Sequence, residues 1–196
     1  MQDDSGEPTT AGRILDAAYA RMLEHGLRRL TVDDVARQAG LSRITVYRRF
    51  ARKSDLIQGV MLRELHRFLR AFEQAVGPLP TMADRVTEGF AVTLRLVRGH
   101  PLLSRLLATE PDMILPHLTL EAGAYLAVAR TYLAEHLDTP DGLDPSDAEA
   151  VAEMFIRIAL SFVLTPASAI PLDSDDEARA YARRHLVPLL PSEGIN

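Results

Sequence analysis

Residues 31–53 read TVDDVARQAGLSRITVYRRFARK, and the reading of the whole chain starts from this stretch. Thr31 and Asp34 place a hydroxyl at a helix start and a carboxylate three residues on, where each can accept from backbone N–H groups that a first helical turn leaves free. The helix so opened is predicted over Val32 to Ala39 and is closed by Gly40. Ser42 then caps a second short helix, Arg43 to Phe50. Two short helices that cross steeply need a small residue where they meet and a turn residue that tolerates a left-handed backbone. Ala36 and Gly40 supply these, and Val35, Ala39, Leu41, Val46 and Phe50 fall on the inward side. The outward positions of the second helix are Arg43, Ile44, Thr45, Tyr47, Arg48 and Arg49. A helix needed only for packing has no use for so many long polar and cationic groups on one exposed side.

Upstream, Thr9 or Thr10 can cap a first helix whose buried stripe is Ile14, Leu15, Ala17, Ala18 and Met22, with Gly26 at its C-terminal end. Downstream, Ser54 and Asp55 open a long helix to Val76, with apolar residues spaced three and four apart from Ile57 through Phe72. At 1.5 Å per residue it spans roughly 34 Å, more than a small three-helix unit needs, so it is expected to continue into a second unit. Gly77-Pro78-Leu79-Pro80 stops it. Further helices are predicted over Met82 to Arg98, Pro101 to Ala108, Asp112 to Leu137 with a bend near Pro116, Asp144-Pro145-Ser146-Asp147 onward to Leu164, and Asp175 to Leu190. The turn-rich connection Asp138 to Leu143 separates two of them. The expected fold is all-α, with about nine helices. An N-terminal three-helix helix-turn-helix domain (1–54) is joined by the long helix to a larger helical domain (55–196).

The 196 residues are 47% hydrophobic and 25% charged, as in an ordinary globular protein. The net charge of -5 is unevenly spread. Ala11 to Arg70 holds 13 Lys+Arg against 6 Asp+Glu, whereas Gly77 to Asn196 holds 9 against 17. One end can meet a polyphosphate that the other would repel. With no cysteine, disulfides, thiolate metal sites and cysteine nucleophiles are excluded together, which fits a reducing cytoplasm. No apolar run approaches the ~18 residues of a membrane span. The polar, acidic start from Met1 to Thr10 is not expected to act as a secretory signal. The six histidines lack ligand spacing, and no H-E-x-x-H, phosphate loop or G-x-S-x-G is present, so neither an enzyme nor a metal or cofactor is expected.

The stretch LTVDDVARQAGLSRITVYRRFARKSDLI resembles the DNA-binding signature of the TetR family of regulators. In that family a T-V-x-x-V-A-x-x-A-G-hydrophobic-S core precedes a T-hydrophobic-Y-x-x-F recognition helix and a basic step into helix four. Where the family often has histidine or tyrosine before the phenylalanine, this chain has Arg49. The resemblance covers about a quarter of the chain and implies a double-stranded operator as partner. The side chains suit that role. Arg43 can offer a bidentate fork to guanine, and Ile44 can pack on a thymine methyl. Thr45 can bond a base edge or a phosphate, Arg48 a base or the backbone, and Arg49 a phosphate. The resemblance implies a phosphate contact for the Tyr47 hydroxyl. Lys53, the only lysine, stands just before a helix N-terminus, where its ammonium and free N–H groups can share a phosphate. Thr31 can serve similarly at another helix start, with Ser42 holding the turn.

The helix from Asp144 to Leu164 has two apolar stripes: Val151, Met154, Phe155, Ile158 and Phe162, and Ala152, Ile156, Ala159, Leu160 and Val163. A surface helix needs only one, so the second must face another element or a second chain. The resemblance implies a homodimer built from the last two long helices, with Tyr181 and Leu186 able to join. It also implies a small-molecule effector. Lining candidates are Phe90, Leu94, Met113, Leu118, Tyr125, Phe155 and Phe162, with Arg95, His117 or Arg157 as polar anchors. The same residues also suit an ordinary core. Arg157, flanked by apolar residues, needs a partner if buried: Glu153, a carbonyl of another subunit, or an anionic ligand, the protein partner ranking first. The expected function is a ligand-responsive repressor. The rival is a helical small-molecule-binding or scaffold protein without a DNA role, which would select no DNA consensus.

Overall fold

A computed structural model of the chain describes residues 9–137 and 145–190. The N-terminal segment before Thr9, the 138–143 turn and the capping role read for Asp144 lie outside them. Among the described residues ten α-helices follow in order: α1 Thr10–His25, α2 Val32–Ala39, α3 Arg43–Arg49, α4 Lys53–Val76, α5 Met82–Arg98, α6 Pro101–Thr109, α7 Pro111–Leu118, α8 Gly123–Leu137, α9 Pro145–Leu164 and α10 Asp175–Tyr181. The described residues contain no strand.

Two elements depart from the periodicity reading. The helix expected over 112–137 is two helices, separated at 119–122. Pro116 cannot donate to the carbonyl of Asp112, which weakens the ladder, and Thr119 leaves helical geometry at φ -129°, ψ -96°. The last helix also loses α geometry after Tyr181 and continues as a π-turn, Ala182–Leu186, and a 3₁₀ turn, Val187–Leu189. Pro188 lacks an N–H and its ring would crowd the carbonyl of Arg184 in a regular helix. The turn before it widens, so that the Val187 N–H reaches the carbonyl of Ala182.

The chain forms two compact units, with the division inside α4 between Glu64 and Leu65. The first comprises the described residues up to Glu64 together with Pro101–Thr119. Its core joins Ile14, Ala18 and Met22 of α1, Val35 and Ala36 of α2, Val46 of α3, and Leu56 and Val60 of α4 to Leu102, Leu106 and Ile114. Thus α6 and α7, distant in sequence, complete the apolar cover of the first three helices. Arg105 adds polar closure by donating to the carbonyls of Met22 (3.4 Å) and Glu24 (3.3 Å) at the end of α1.

The second unit comprises Leu65–His100 and the described residues from Leu120 onward. In it α5 packs against α9 and α10 through Phe90, Ala91, Leu94, Leu172, Ala178, Ala182 and Leu186, with Phe155, Ile158, Phe162 and Tyr181 beside them. Phe162 stands edge-on to both Phe90 and Tyr181. Arg179 of α10 grips Glu88 of α5 through two nitrogens, at 2.7 and 3.1 Å, which holds the Glu88 carboxyl below its usual range. Between α4 and α8 the Tyr132 hydroxyl donates to Glu73 at 2.6 Å and lies 3.1 Å from the Leu69 carbonyl. Burial, reinforced by the Glu73 carboxylate, pushes the Tyr132 phenol well above its ordinary value.

Candidate nucleic-acid interface

The α2–α3 pair is set by local chemistry. Thr31 Oγ accepts from the Asp34 N–H at 3.1 Å and donates to the Asp34 carboxylate at 2.6 Å, closing the start of α2. The hydroxyl bond, set against burial and helped by Arg21 and Arg37, draws the Asp34 carboxyl below its usual value. At the other end Gly40 takes φ 63°, ψ 36°, a left-handed position where an L side chain would be strained. The Gly40 N–H then reaches the Arg37 carbonyl and the Leu41 N–H the Ala36 carbonyl, the paired closure of a Schellman motif. Arg13 of α1 adds a donor to the Ala39 carbonyl at 2.8 Å. Sequence patterning did not single out this arginine, because the contact spans 26 residues.

Ser42 starts α3, its Oγ accepting from the Thr45 N–H at 3.1 Å and pairing with Thr45 Oγ at 2.8 Å. Val46 is fully buried and fixes the inward face. Leu41 and Phe50 pack against the same core, as the inward pattern requires. Gly59 of α4 permits the close approach of Phe50 and Leu15, since a Cβ there would sit 3.0 Å from each side chain. With Val46 turned in, Ser42, Arg43, Ile44, Tyr47, Arg48 and Arg49 are exposed and Thr45 is half-exposed. Ile44 is 80% exposed. Arg48 and Arg49 have no ion pair among the described residues. Arg43 Nε pairs with Asp33 of α2 at 3.1 Å, an interaction the sequence did not reveal.

Lys53 is the first residue of α4, one position earlier than the Ser54 start read from the sequence. Its ammonium donates to the Arg28 carbonyl at 3.1 Å. Asp55 accepts from the Arg52 N–H at 2.9 Å, so the carboxylate half of a capping box is present without the hydroxyl half. Thr31, Ser42, the α3 side chains and Lys53 all belong to the first unit. The arrangement is a short cationic helix held proud of an apolar core, with a capped helix before it and an ammonium after it.

The geometry of a helix-turn-helix is matched by sequence comparison. Residues 14–60 fit the family model described as bacterial regulatory proteins, tetR family, and residues 82–183 that of the bacterial tetracyclin repressor, C-terminal domain. The chain belongs to the TetR family. It is accordingly a helix-turn-helix, DNA-binding transcriptional regulator and not an enzyme. Among its TetR-family relatives is the HTH-type transcriptional regulator AlkX of Mycobacterium tuberculosis, 26% identical over 186 residues, covering 93% of this chain and 85% of that one. An uncharacterized HTH-type regulator of the same organism is 28% identical over 180 residues, covering 92% and 85%. The crystal structure of the TetR family repressor AlkX from a Dietzia strain superposes with a TM-score of 0.73 at 26% identity, covering 93% of this chain and 96% of that one. Salmonella enterica GusR shares the fold, with a TM-score of 0.65 at 22% identity and coverage of 96% and 99%. No described helix is long and apolar enough to cross a membrane.

The residues read as effector-lining are divided. Phe90 and Leu94 are buried in the second unit's core, with Phe155 and Phe162 against it, and Tyr125 is half-buried in the same unit. Met113 and Leu118 instead pack against the first unit's core, so they do not join that cluster. Leu94 and Arg95, with Ala91, Arg98, Leu172 and Ser174, border a cavity of about 200 Å³. That is below the ~300 Å³ at which ligand pockets usually begin. Its arginines are also engaged, Arg95 with Asp175 and Arg98 with the Leu172 carbonyl.

Arg157 corrects the buried-arginine reading, because its side chain is 64% exposed. Its partner is Glu153, at 2.9 and 2.7 Å through Nε and Nη2. The helical i to i+4 spacing brings the two together without any burial. Of the residues read as dimer-forming, Val151 and Leu186 are buried within the chain's own core. Met154, Ile158, Phe162 and Tyr181 are half-buried.

Proposed function

We propose that this regulator is a ligand-responsive repressor that binds a palindromic or near-palindromic operator as a homodimer. The observation that carries the reading is α3: one buried anchor, Val46, beneath an exposed row of Arg43, Ile44, Tyr47, Arg48 and Arg49. Arg43, Ile44, Thr45 and Arg48 read base edges. Thr31, Tyr47, Arg49 and Lys53 hold phosphates and set the register, with Ser42 fixing the turn. A two-fold reader of this kind needs half-sites about one helical turn apart, or a multiple, which is the reason for two copies. The half-buried apolar residues of α9 and α10, Met154, Ile158, Phe162 and Tyr181, supply surface for that pairing. Functionally, residues 1–54 read DNA and residues 55–196 dimerise and sense.

The effector acts by population shift: it binds preferentially the arrangement in which the two α3 helices no longer match successive grooves. The apolar cluster of Phe90, Leu94, Phe155 and Phe162 favours an apolar effector. The relative from Dietzia is a repressor implicated in biodegradation of n-alkanes, which makes aliphatic compounds the first to screen. The DNA reading is tested by random-site selection followed by mobility-shift assay. An enriched inverted repeat is the expected result, and failure to enrich any consensus overturns it. Sedimentation with and without the selected DNA tests the dimer, and release of that DNA by n-alkanes or their oxidised derivatives tests the effector class.

A further inference from the structure

Two adjacent carboxylates open α2, and they have different employment. Asp34 is taken up by the cap: it accepts the Thr31 hydroxyl proton, and Arg21 and Arg37 lie at 3.8 and 3.2 Å. Asp33 is directed instead to the next helix, where its Oδ1 lies 3.1 Å from Arg43 Nε. Among the described residues this is the one ion pair that Arg43 makes. Arg43 is also the first residue of α3, at the end of the helix that carries the exposed row.

The contact is electrostatic, a carboxylate 3.1 Å from Nε drawing the guanidinium toward α2. A guanidinium is planar, and each of its edges can face only one acceptor group. With the carboxylate nearest Nε, the terminal Nη1 and Nη2 remain available, and such a pair can meet guanine O6 and N7 together. A long side chain that is 67% exposed would otherwise sample many rotamers, all but one of which it must give up on binding. We infer that Asp33 is a positioning residue for sequence readout, its ion pair with Arg43 biasing the guanidinium toward the placement from which its terminal nitrogens meet a guanine. This rests on the base-reading role proposed for Arg43.

Charge alone predicts the opposite of positioning. A carboxylate near a polyanion repels it, so removing one raises affinity for every sequence alike. An acidic residue in the first turn of α2 also favours the helix dipole, and that effect changes stability without touching base preference. Positioning predicts a split: general affinity rises while discrimination at one base pair falls.

The experiment uses the full chain and the DNA site it selects from a random pool. Affinities are measured for that site, for each single base-pair replacement of it, and for unrelated duplex, with wild type, Asp33→Ala, Asp33→Asn, Arg43→Ala and the Asp33→Ala/Arg43→Ala double variant. Arg43→Ala is expected to flatten discrimination at one G·C pair in each half-site. Asp33→Ala and Asp33→Asn are expected to lower discrimination at that same pair by about two- to fivefold, the scale of an exposed ion pair. They should also bind unrelated duplex more tightly, and the double variant should lose no more discrimination than Arg43→Ala alone. If Arg43→Ala flattens that pair and Asp33→Ala preserves it, or strengthens all sequences by one factor, positioning is overturned while the base-reading role stands. If Arg43→Ala leaves every position unchanged, both readings fall.

Discussion

The turn between α1 and α2 offers a quantitative test of how a remote carboxylate supports the DNA-reading unit. Gly26 closes α1 at φ 79°, ψ 179°, a region open essentially to glycine alone. Immediately after it, the N–H groups of Leu27 and Arg28 point at Glu110 Oε2, at 2.6 and 3.1 Å. Neighbouring Asp112 pairs with Arg28 at 2.5 Å. A Cβ built on Gly26 would collide with the Glu110 carboxylate itself. Gly26→Ala therefore does two things: it strains the backbone by about 1–3 kcal/mol, and it evicts the group that satisfies two amides. Hydrogen bonds to a charged acceptor are worth about 1.5–3 kcal/mol, and only the Leu27 amide is shielded enough for its loss to be felt in full. Gly26→Ala should cost about 3–5 kcal/mol and Glu110→Ala about 1.5–3 kcal/mol.

Because the eviction is common to both variants, the double variant should be little worse than Gly26→Ala. The coupling should then be about 1.5–3 kcal/mol in the sub-additive direction. Urea unfolding followed by far-ultraviolet circular dichroism, at one protein concentration, gives the four free energies. Additivity within about 0.5 kcal/mol would refute the reasoning, since independent sites behave that way. In that case the carboxylate and the glycine do not act on the same turn.

Three further outcomes are expected. Lys53→Ala should weaken binding to all DNA sequences alike and reduce the salt dependence by about one unit of slope, measured by titration at several salt concentrations; a loss confined to the selected site would contradict a phosphate contact. Leu56→Ala, at a fully buried position of the first unit's core, should lower stability by about 2–5 kcal/mol in urea unfolding, and a change under 1 kcal/mol would mean the core is not packed as described. Glu88 has a carboxyl held below its ordinary 4.5 by Arg179, so the stability it contributes is present above that value and is lost as pH falls through the lower folded-state value. Glu88→Gln should thus flatten the fall of Tm on acidification below about pH 4.5; parallel wild-type and variant curves would rule the pair out as a source of acid sensitivity.

The amino-acid sequence alone settled what is decided within a few residues. Caps at Thr9, Thr31 and Ser42 each join groups three apart. The left-handed Gly40 and the inward Val46 are likewise local choices, legible as a breaker and a periodic apolar residue. Together they place Arg43, Ile44 and Tyr47 on an exposed face, and most of the candidate interface was readable for that reason. What tertiary structure alone decided lies across long separations. Glu110 reaches Leu27 over 83 residues, Arg13 reaches Ala39 over 26, and α6 and α7 belong to the core beneath the DNA-reading helices. An apolar stripe announces that a face will be covered, since hydrophobic burial scales with area and has no direction. It does not name the cover, so the sequence could not tell that Val151 and Leu186 serve their own chain's core, nor that Met113 and Phe90 belong to different ones.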